Sequence, residues 1–307
     1  MNLKKKLILI AGPTASGKSK LAVFIAKKIN GEIINADSMQ VYKEFSILSS
    51  RPSKEDLKKV KHHLYGILSV KKNFSAGQWL LLVKKKINQS IKNKKVPILV
   101  GGTGLYFNTI TKGISKIPQI NSKLREDIRN LHVKIGQKSL YQKLISIDPI
   151  SKNKVLPTDT QRTLRAYEVK IFTKKSLYEW SSNTKSDFLD FDIRKFFLNI
   201  PRDELLKKIS ERTKLMLSNN CIKEVKNFLK LKIKKSLSAN KVIGVGEISA
   251  YLSGSLSLEE AFNLINIKTR QYAKRQNTWS RGHMTTWNKV YSKDFSVLAK
   301  KVLKEIS

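Results

Sequence analysis

The feature that most constrains this chain is the run Gly-Pro-Thr-Ala-Ser-Gly-Lys-Ser at residues 12–19. It fits the pattern G-x-x-x-x-G-K-[ST], and it lies between an apolar stretch, Leu7 to Ala11, and a segment with apolar residues at helical spacing. In this context the glycines let backbone N–H groups surround phosphate oxygens at a helix N-terminus. We predict that a diphosphate or polyphosphate is held by Gly12, Pro13, Thr14, Ala15, Ser16, Gly17, Lys18 and Ser19, and that the Ser19 hydroxyl ligates Mg²⁺.

Two more stretches have the pattern of buried strands. These are Glu32 to Ala36, and Val96 to Val100, which runs into Gly101-Gly102-Thr103-Gly104. Because strands alternate with helical segments, the sequence predicts an α/β fold with a P-loop parallel-sheet core. Ligands of such sheets bind at the carboxyl ends of the strands. Asp37 and Thr103 each follow such an end, so we expect both at the site.

The region between Pro118 and Pro201 changes to helical segments without apolar strands. Within it, Thr158 to Gln161 form a capping box, which predicts a helix start. We therefore predict a helical insertion domain at residues 119–200, inside a core whose first part is 1–118 and whose mostly helical remainder is 201–307. A long helix is predicted from about Leu258 to Trp279 in that remainder.

The charge balance is strongly basic, with 61 Lys and Arg against 23 Asp and Glu, a net charge of +38. Such a charge favours a polyanionic partner such as nucleic acid. Codon bias in an AT-rich genome is the alternative, since Lys, Ile, Asn and Ser are abundant together. The lone Cys221 gives no internal disulfide, which favours the cytoplasm, and no apolar stretch approaches the ~20 residues that span a bilayer.

The segment after the second strand, Asn35-Ala36-Asp37-Ser38-Met39-Gln40, places a carboxylate, a hydroxyl and an amide beyond a strand end. An NTP hydrolase usually has an acid at the end of a second core strand to hold Mg²⁺, but Val96 to Val100 ends in Gly-Gly-Thr. Asp37 is the nearest acid. The set favours a base and hydrogen-bonding groups for an acceptor. The alternative is that Asp37 and Ser38 cap the next helix.

A first basic segment, Gln161-Arg162-Thr163-Leu164-Arg165, places two arginines three residues apart on one helical face. Two guanidinium groups there are suited to holding phosphates or to stacking on a base. The same spacing is typical of a solvated charged face.

A second helical segment separates basic and aromatic residues onto different faces. One polar stripe, at i, i+4, i+7 and i+11, consists of Arg270, Lys274, Asn277 and Arg281. Another face consists of Tyr272, Arg275 and Trp279. A basic stripe beside aromatic residues favours RNA, and a core-packed helix with a solvated back is the alternative.

Two adjacent histidines, His62 and His63, are candidates for a metal site. Adjacent residues on a strand or helix point apart, and no third ligand is near in the sequence. We therefore favour a structural role for both.

Together these segments resemble the bacterial tRNA dimethylallyltransferases, which prenylate the adenosine beside the anticodon of tRNA. The resemblance spans nearly the whole chain. It rests on motifs in the family's order, namely Gly-Pro-Thr-Ala-Ser-Gly-Lys-Ser at 12–19, Asn-Ala-Asp-Ser-Met-Gln-Val-Tyr at 35–42, Val-Gly-Gly-Thr-Gly-Leu-Tyr at 100–106, Gln-Arg-Thr-Leu-Arg-Ala at 161–166 and Arg-Gln-Tyr-Ala-Lys-Arg-Gln at 270–276.

The resemblance implies transfer of a dimethylallyl group from dimethylallyl diphosphate, with Mg²⁺, to N6 of the adenosine at tRNA position 37. Asp37 would act as general base on N6, Thr103 would position acceptor and diphosphate, and Arg212 would lie near the diphosphate. The N6 amine is a poor nucleophile, and removal of its proton makes it a better one. The diphosphate leaving group needs stabilising, which neutralisation of its charge provides. We also expect a monomer.

The resemblance further implies that a flipped adenosine enters the site and that the insertion clasps the anticodon stem-loop. The tRNA contacts would come from Asp37, Ser38, Met39, Gln40, Thr103, Arg125, Gln161, Arg162, Thr163, Leu164 and Arg165. To these the basic stripe adds Arg270, Lys274 and Arg281.

The chain departs from the family pattern at Ile243-Gly244-Val245-Gly246-Glu247, where many members have Ile-Gly-Tyr followed by a basic residue. Any tRNA contact usually made by that tyrosine and basic residue is in doubt here. The diphosphate and base sites are intact, so we expect catalysis to be preserved.

Two other functions fit part of the sequence. A small-molecule kinase using ATP would also need the loop at 12–19, but the missing strand-end acid and the RNA-like helix weigh against it. A non-catalytic RNA-binding protein would not need Lys18, Ser19 and Asp37 at these positions.

Overall fold

The computed structural model describes residues 5–216 and 219–306. Its centre is a six-stranded sheet in the order β3-β2-β4-β1-β5-β6, and every pair of neighbouring strands is parallel. The α/β parallel-sheet fold predicted from the sequence is therefore confirmed. The strands are β1 (Lys5–Ala11), β2 (Gly31–Asn35), β3 (His62–His63), β4 (Val96–Gly101), β5 (Phe191–Leu198) and β6 (Asn288–Val290).

Helices surround this sheet and form a separate helical segment. In the first part of the chain they are α1 (Lys18–Lys28), α2 (Lys54–Lys59), α3 (Ala76–Lys92) and α4 (Gly104–Thr111). Next come α5 (Ser122–Ile147), α6 (Thr160–Thr173) and α7 (Leu177–Ser182), with a 3₁₀ turn at Pro149–Asn153. The last are α8 (Arg202–Met216), α9 (Asn219–Lys230), α10 (Val245–Leu252), α11 (Leu258–His283) and α12 (Phe295–Ile306), with a 3₁₀ turn at Ser238–Lys241.

The central strands are apolar on both sides because both faces of the sheet are covered. Leu7 and Leu9 of β1 face one core, which includes Trp79 of α3. Ile8 and Ile10 face the other, which α1 and α12 complete. Burial on both faces explains why these strands show continuous apolar runs.

The carboxyl ends of three central strands lie side by side. Ala11 of β1 pairs with Gly101 of β4, and Asn35 of β2 pairs with Val100. The loops that follow β1, β2 and β4 therefore leave the sheet at one edge. A Cβ on Gly101 would lie 2.0 Å from the Ala36 carbonyl oxygen, so glycine is required for the loops to pass this closely.

The chain divides into two compact units, which differ from the ranges predicted from the sequence. One comprises residues 1–110 and 188–307, and the other comprises Thr111–Asp187. The expectation that no strand lies between Pro118 and Pro201 is wrong, because β5 is part of the sheet. Asp192, Arg194 and Lys195 interrupt its apolar pattern, and they lie in the half-buried part of the strand.

The predicted capping box at Thr158 to Gln161 is also wrong in detail. Helix α6 begins one residue later, with Asp159 as the N-cap, and the Asp159 carboxylate accepts a hydrogen bond of 3.0 Å from the Arg162 amide. The aspartate carboxylate satisfies a free first-turn amide as a threonine hydroxyl would, but it is the Arg162 amide and not that of Gln161. The predicted helix from Leu258 continues past Trp279 to His283.

None of the helices in the described ranges combines the length and apolar character needed to cross a membrane.

Candidate active site

The predicted phosphate loop connects β1 to α1 in the expected order. Gly17 is the N-cap of α1 with φ +83°, a left-handed conformation that favours glycine. No side chain caps this helix, so the first-turn amides that begin at Lys18 remain available to an anion. The Ser16 hydroxyl is buried and has no hydrogen-bond partner among the described residues.

Lys18 lies folded over this loop, with its ammonium group 3.1 Å from the Pro13 carbonyl oxygen. Burial lowers the pKa of Lys18 to about 8. Asp37 opposes this shift with its negative charge, and the positive charge of Arg212 adds to it. Lys18, Asp37 and Arg212 therefore interact electrostatically, although they lie at the start of α1, in the loop after β2 and on α8.

Arg212 of α8 occupies this site with an incomplete set of partners. Its Nε is buried without a hydrogen-bond partner among the described residues. Burial lowers the pKa of Arg212, and the charge of Asp37 opposes that change. A half-buried guanidinium with a buried, free Nε donor is suited to binding an anionic ligand.

Asp37 is held in place by the asparagine two residues before it. The Asp37 amide donates to Asn35 Oδ1 at 2.8 Å, and Asn35 Nδ2 donates to the Asp37 carbonyl at 2.9 Å. One carboxylate oxygen of Asp37 accepts from the Met39 amide at 2.9 Å. After α1 ends at Lys28, the next helix begins at Lys54, so the alternative interpretation of Asp37 and Ser38 as caps of a following helix is wrong.

Thr103 joins the loop after β4 to the loop that carries Asp37. Its Oγ1 accepts from the Ser38 amide at 2.9 Å and donates to the Ser38 hydroxyl at 3.2 Å. Its own amide donates to the Ala36 carbonyl at 3.2 Å. Thr103 and Ser38, two predicted site residues 65 positions apart in the sequence, are thus joined by hydrogen bonds.

A cavity of about 330 Å³ opens beside these loops. Gly12, Ser38 and Thr103 contribute to its wall near the predicted chemical groups. The rest is largely apolar and aromatic, and it includes Phe107, Phe197, Tyr272, Trp279 and Met284. Sequence reasoning missed most of this lining, because such residues have the same pattern as core residues.

Helix α11 presents one face to this cavity. Tyr272, Arg275 and Trp279, which the sequence grouped on one face, all line it. Burial and the charge of Asp37 raise the pKa of Tyr272, so its hydroxyl stays neutral. The predicted basic stripe lies elsewhere on the helix, where Arg270, Lys274 and Arg281 are exposed.

Gln276, also on α11, was not singled out from the sequence. Its Oε1 accepts from the Thr14 amide at 2.8 Å, and its Nε2 donates to the Gly102 carbonyl at 2.9 Å. The side-chain amide therefore bridges the phosphate loop and the loop that carries Thr103. Two sequence signals point to it: it ends the motif at 270–276, and it lies one turn from Tyr272.

The compact unit Thr111–Asp187 contains the other predicted RNA-binding residues. Arg125 and Arg165 both lie 3.7 Å from the buried carboxylate of Glu168. Burial lowers the pKa of Arg165, and Glu168 opposes the change. These two arginines share one acid, which leaves positive charge for a polyanion.

The residues of the Gln161–Arg165 segment have different environments. Gln161 and Arg162 are exposed, and Arg162 forms an ion pair of 2.9 Å with Asp159. Thr163 is fully buried and donates to the Asp159 carbonyl at 2.8 Å. The side chain of Thr163 therefore supports the helix, whereas Leu164 is half-buried and the charged residues reach the surface.

The two adjacent histidines take structural positions on β3. His63 is buried and bonded to Glu32 at 2.9 Å, and Glu32 also accepts from the Ser90 hydroxyl at 2.7 Å. His62 Nδ1 lies 2.9 Å from the Val60 carbonyl. Within 5–216 and 219–306 no group of three or more His, Cys, Asp or Glu residues is arranged to hold a metal ion.

The segment that departs from the family pattern forms the start of α10. Glu247 accepts from the Gly244 amide at 2.8 Å and bonds to Lys268, so it caps the helix and ties it to α11. Val245 is buried. A Cβ on Gly246 would meet nothing within 4 Å, so a side chain at this position would point into open space. Glycine at this position therefore leaves the surrounding packing unchanged.

Comparisons with known proteins agree with one another. A family model described as IPP transferase matches residues 40–283. A tRNA dimethylallyltransferase of Pelagibacter ubique is 56% identical over 290 residues, which cover 94% of this chain and 93% of that protein.

Solved structures give the same result. The full-length tRNA isopentenylpyrophosphate transferase of Bacillus halodurans has a TM-score of 0.69 and 32% identity, covering 99% of this chain and 95% of that one. A eukaryotic dimethylallyltransferase acting on tRNA has a TM-score of 0.78 and 28% identity, covering 90% of this chain and 70% of its own.

Proposed function

We propose that this chain, which belongs to the IPP transferase family, transfers the dimethylallyl group of dimethylallyl diphosphate to N6 of the adenosine at tRNA position 37. The relatives identify the reaction class as prenyl transfer to tRNA. The identity of the donor and of the acceptor atom is proposed from the residues that follow the carboxyl ends of β1, β2 and β4.

The proposal rests on one carboxylate that interacts electrostatically with two cations, together with an apolar cavity lined by residues of the same loops. Asp37 interacts with both Lys18 and Arg212. The cations are suited to the diphosphate of the donor, the carboxylate is suited to accepting a proton, and the cavity is suited to a prenyl chain.

In the proposed reaction the N6 lone pair attacks the allylic carbon of the donor. The bond between that carbon and the diphosphate oxygen breaks, and its electron pair leaves with diphosphate. Lys18, Arg212 and the first-turn amides of α1 stabilise the charge that develops on the leaving group. Asp37 takes the proton from N6, which makes the amine a better nucleophile.

The residues of the loop fit Mg²⁺ through a hydroxyl at the start of α1. Ser19 is exposed there, and its oxygen is the kind of ligand that Mg²⁺ prefers. Because the described residues offer no cluster of acids for the metal, the other ligands would come from the donor diphosphate and water. When bound, Mg²⁺ supplies positive charge to the diphosphate.

The cavity is proposed to enclose the prenyl chain and the reacting carbon. Phe107, Trp279 and Met284 offer apolar surface, while Thr103 and Ser38 lie at its polar side. Excluding water from this space strengthens the electrostatic effects of Asp37, Lys18 and Arg212 on the reaction.

The tRNA is proposed to bind through exposed basic residues and the Asp37 loop. Arg125, Gln161, Arg162 and Arg165 would contact the anticodon stem-loop, and Ser38 to Gln40 would contact the flipped adenosine and its neighbours. Arg270, Lys274 and Arg281 would add phosphate contacts. The monomeric state and the cytoplasmic location stay predictions from the sequence.

The proposed function is tested by incubating the protein with Mg²⁺, dimethylallyl diphosphate and an unmodified tRNA that has adenosines beside its anticodon. Mass spectrometry of the digested tRNA should find one added five-carbon unit on the adenosine at position 37. No mass gain, under conditions where the protein binds the tRNA, would overturn the proposal. Phosphate transfer from ATP to a small molecule would favour a kinase instead.

The pH dependence of donor binding follows from the pKa of Lys18. Lys18 carries its full charge below its pKa of about 8 and loses it as the pH rises through that value. We therefore expect the affinity for inorganic diphosphate to fall by about 10-fold between pH 7 and pH 9.5. Calorimetry across this range measures the effect.

The control for this pH dependence is Lys18→Met, which has no charge to lose at any pH. Its diphosphate affinity should be low and should change between pH 7 and pH 9.5 only through the titration of diphosphate itself, so the decline in the wild-type protein is measured relative to this variant. An equal decline in both proteins would show that a different group is responsible.

A further inference from the structure

The side-chain amide of Gln276 forms hydrogen bonds to two loops, one proposed to bind the donor and the other the acceptor. It accepts from the Thr14 amide at 2.8 Å and donates to the Gly102 carbonyl at 2.9 Å. Thr14 belongs to the loop proposed to bind the donor, and Gly102 directly precedes Thr103. One side chain from α11 therefore contacts the donor loop and the acceptor loop together.

Further hydrogen bonds connect the segment after Gly102 with the loop that carries the proposed general base. Thr103 binds the amide and the hydroxyl of Ser38, and Ser38 is the neighbour of Asp37. On the other side, Thr14 lies in the same loop as Lys18. A displacement of Gln276 would change the distance between the groups that hold the diphosphate and the group that accepts the proton.

The surrounding helix makes Gln276 a firm support. Ala273, one turn before it, is buried, and the Trp279 indole packs against Gly104, which follows Thr103 and begins α4. Gln276 itself is half-buried, and both ends of its amide are bonded to backbone atoms. Its hydrogen bonds therefore have a defined direction, with an acceptor toward Thr14 and a donor toward Gly102.

We propose that Gln276 is a positioning residue, which fixes the donor loop relative to the Thr103 loop and so aligns the allylic carbon with N6. This inference rests on the proposed function. Gln276 does not touch the reacting atoms. Because alignment of reactants is sensitive to displacements of about 1 Å, its loss acts on turnover more than on the binding of either substrate.

The test is Gln276→Glu, which keeps the size of the side chain. One carboxylate oxygen still accepts from the Thr14 amide, but the other opposes the Gly102 carbonyl, which is also an acceptor. We expect kcat to fall by about 10- to 100-fold and the dissociation constant for tRNA to change by less than about 3-fold. The dissociation constant for inorganic diphosphate should rise by less than kcat falls, because the new carboxylate adds a negative charge beside the loop. Gln276→Met, which removes both hydrogen bonds, should likewise lower kcat much more than it weakens the binding of diphosphate or tRNA.

The pH profile of Gln276→Glu adds a readout that a loss of packing would not give. A protonated carboxylic acid has an O–H group that donates to the Gly102 carbonyl, so the contact is restored when the variant is protonated. The ratio of variant to wild-type kcat should therefore rise as the pH falls from 8 toward 5. Gln276→Met has no group to protonate, and its ratio should stay constant.

The matched control is Gln271→Glu, an exposed residue on the same helix that receives the same change of charge. It should retain wild-type kcat at every pH. The inference is overturned if both Gln276 variants keep wild-type kcat. It is also overturned if they lose diphosphate or tRNA affinity by as much as they lose kcat, or if the pH profiles of the two variants are the same.

Hydrogen exchange separates this inference from the proposed function. In the wild-type chain, binding of inorganic diphosphate to the loop at 12–19 should also slow amide exchange in the segment 100–107. In Gln276→Glu and Gln276→Met the effect should be confined to the donor loop. Transmission that is equal in all three proteins overturns the inference, whether or not the wild-type chain prenylates tRNA.

Discussion

Replacing Asp37 with asparagine is expected to lower kcat by about 10²- to 10⁴-fold, the usual contribution of a general base. The change keeps the shape of the side chain, and its carbonyl oxygen still accepts from the Met39 amide, as Asp37 does at 2.9 Å. The fold of the loop is therefore retained. What is lost is the group that takes the proton from N6.

Binding is expected to be preserved in Asp37→Asn. The Asn35 contacts that shape the loop involve the backbone of residue 37, and the substitution does not alter them. The affinity for tRNA should stay within about 3-fold of wild type, and diphosphate should bind at least as well because one negative charge has been removed. Single-turnover prenylation and filter binding of the same tRNA measure the two quantities separately.

The assay of Asp37→Asn needs a pH at which Lys18 is charged. Asp37 raises the pKa of Lys18, so its removal lowers that pKa below about 8. Measurements at pH 6.5 keep Lys18 protonated and isolate the loss of the base. Asp56→Asn is the control, since Asp56 is a partly exposed carboxylate on α2 that is paired with Lys59. Wild-type turnover in Asp37→Asn would exclude Asp37 from proton transfer.

The sequence predicted those helices, strands and loops that are determined by residues close together in the chain. The loop at 12–19 and the strand and helix beside it were identified because glycine positions and apolar periodicity are written in neighbouring residues. The same holds for β2 and β4. In contrast, β3 and β6 have two and three residues, too few to form a pattern, and they are strands because a neighbouring strand pairs with them.

Strand β5 and the boundary of the insertion show the same limit. Asp192, Arg194 and Lys195 interrupt the apolar run, so the segment did not resemble a buried strand. Its pairing with β1 along the whole strand, from Phe191 to Phe197, decides its structure. This is tertiary context that overrides local propensity.

The candidate site divides in a similar way. Asp37 and Thr103 were predicted because residues after parallel strands gather at one edge of the sheet. The bond between Thr103 and Ser38, and the bridge made by Gln276, join residues far apart in the chain through atoms that have no sequence signature. The cavity lining was missed because Phe107 and Met284 have the composition of a core.

The second large effect is expected from Arg212→Met. Arg212 is the cation on α8 that shares the site with Lys18 and Asp37, and its Nε is buried without a partner among the described residues. The proposed diphosphate is the group that would complete its hydrogen bonds. Removing one such donor to a developing negative charge costs about 10²- to 10³-fold in kcat.

The stability of Arg212→Met distinguishes this role from a structural one. Arg212 is half-buried, and a buried Nε donor without a partner is unfavourable in the free protein; methionine fills a similar space without that cost. We expect the ligand-free melting temperature to stay unchanged or to rise. The increase in melting temperature that inorganic diphosphate gives the wild-type protein should be much smaller in the variant.

Arg202→Met, an exposed change at the start of the same helix, is the control and should keep wild-type kcat and the full response to diphosphate. A fall in the ligand-free melting temperature of Arg212→Met, with an unchanged response to diphosphate, would mean that Arg212 supports the fold. If Arg212 binds the diphosphate, the variant should lose both turnover and the diphosphate-induced rise in melting temperature, because the same guanidinium is needed for each. The unpaired guanidinium that destabilises the free protein then becomes the group that binds the leaving diphosphate.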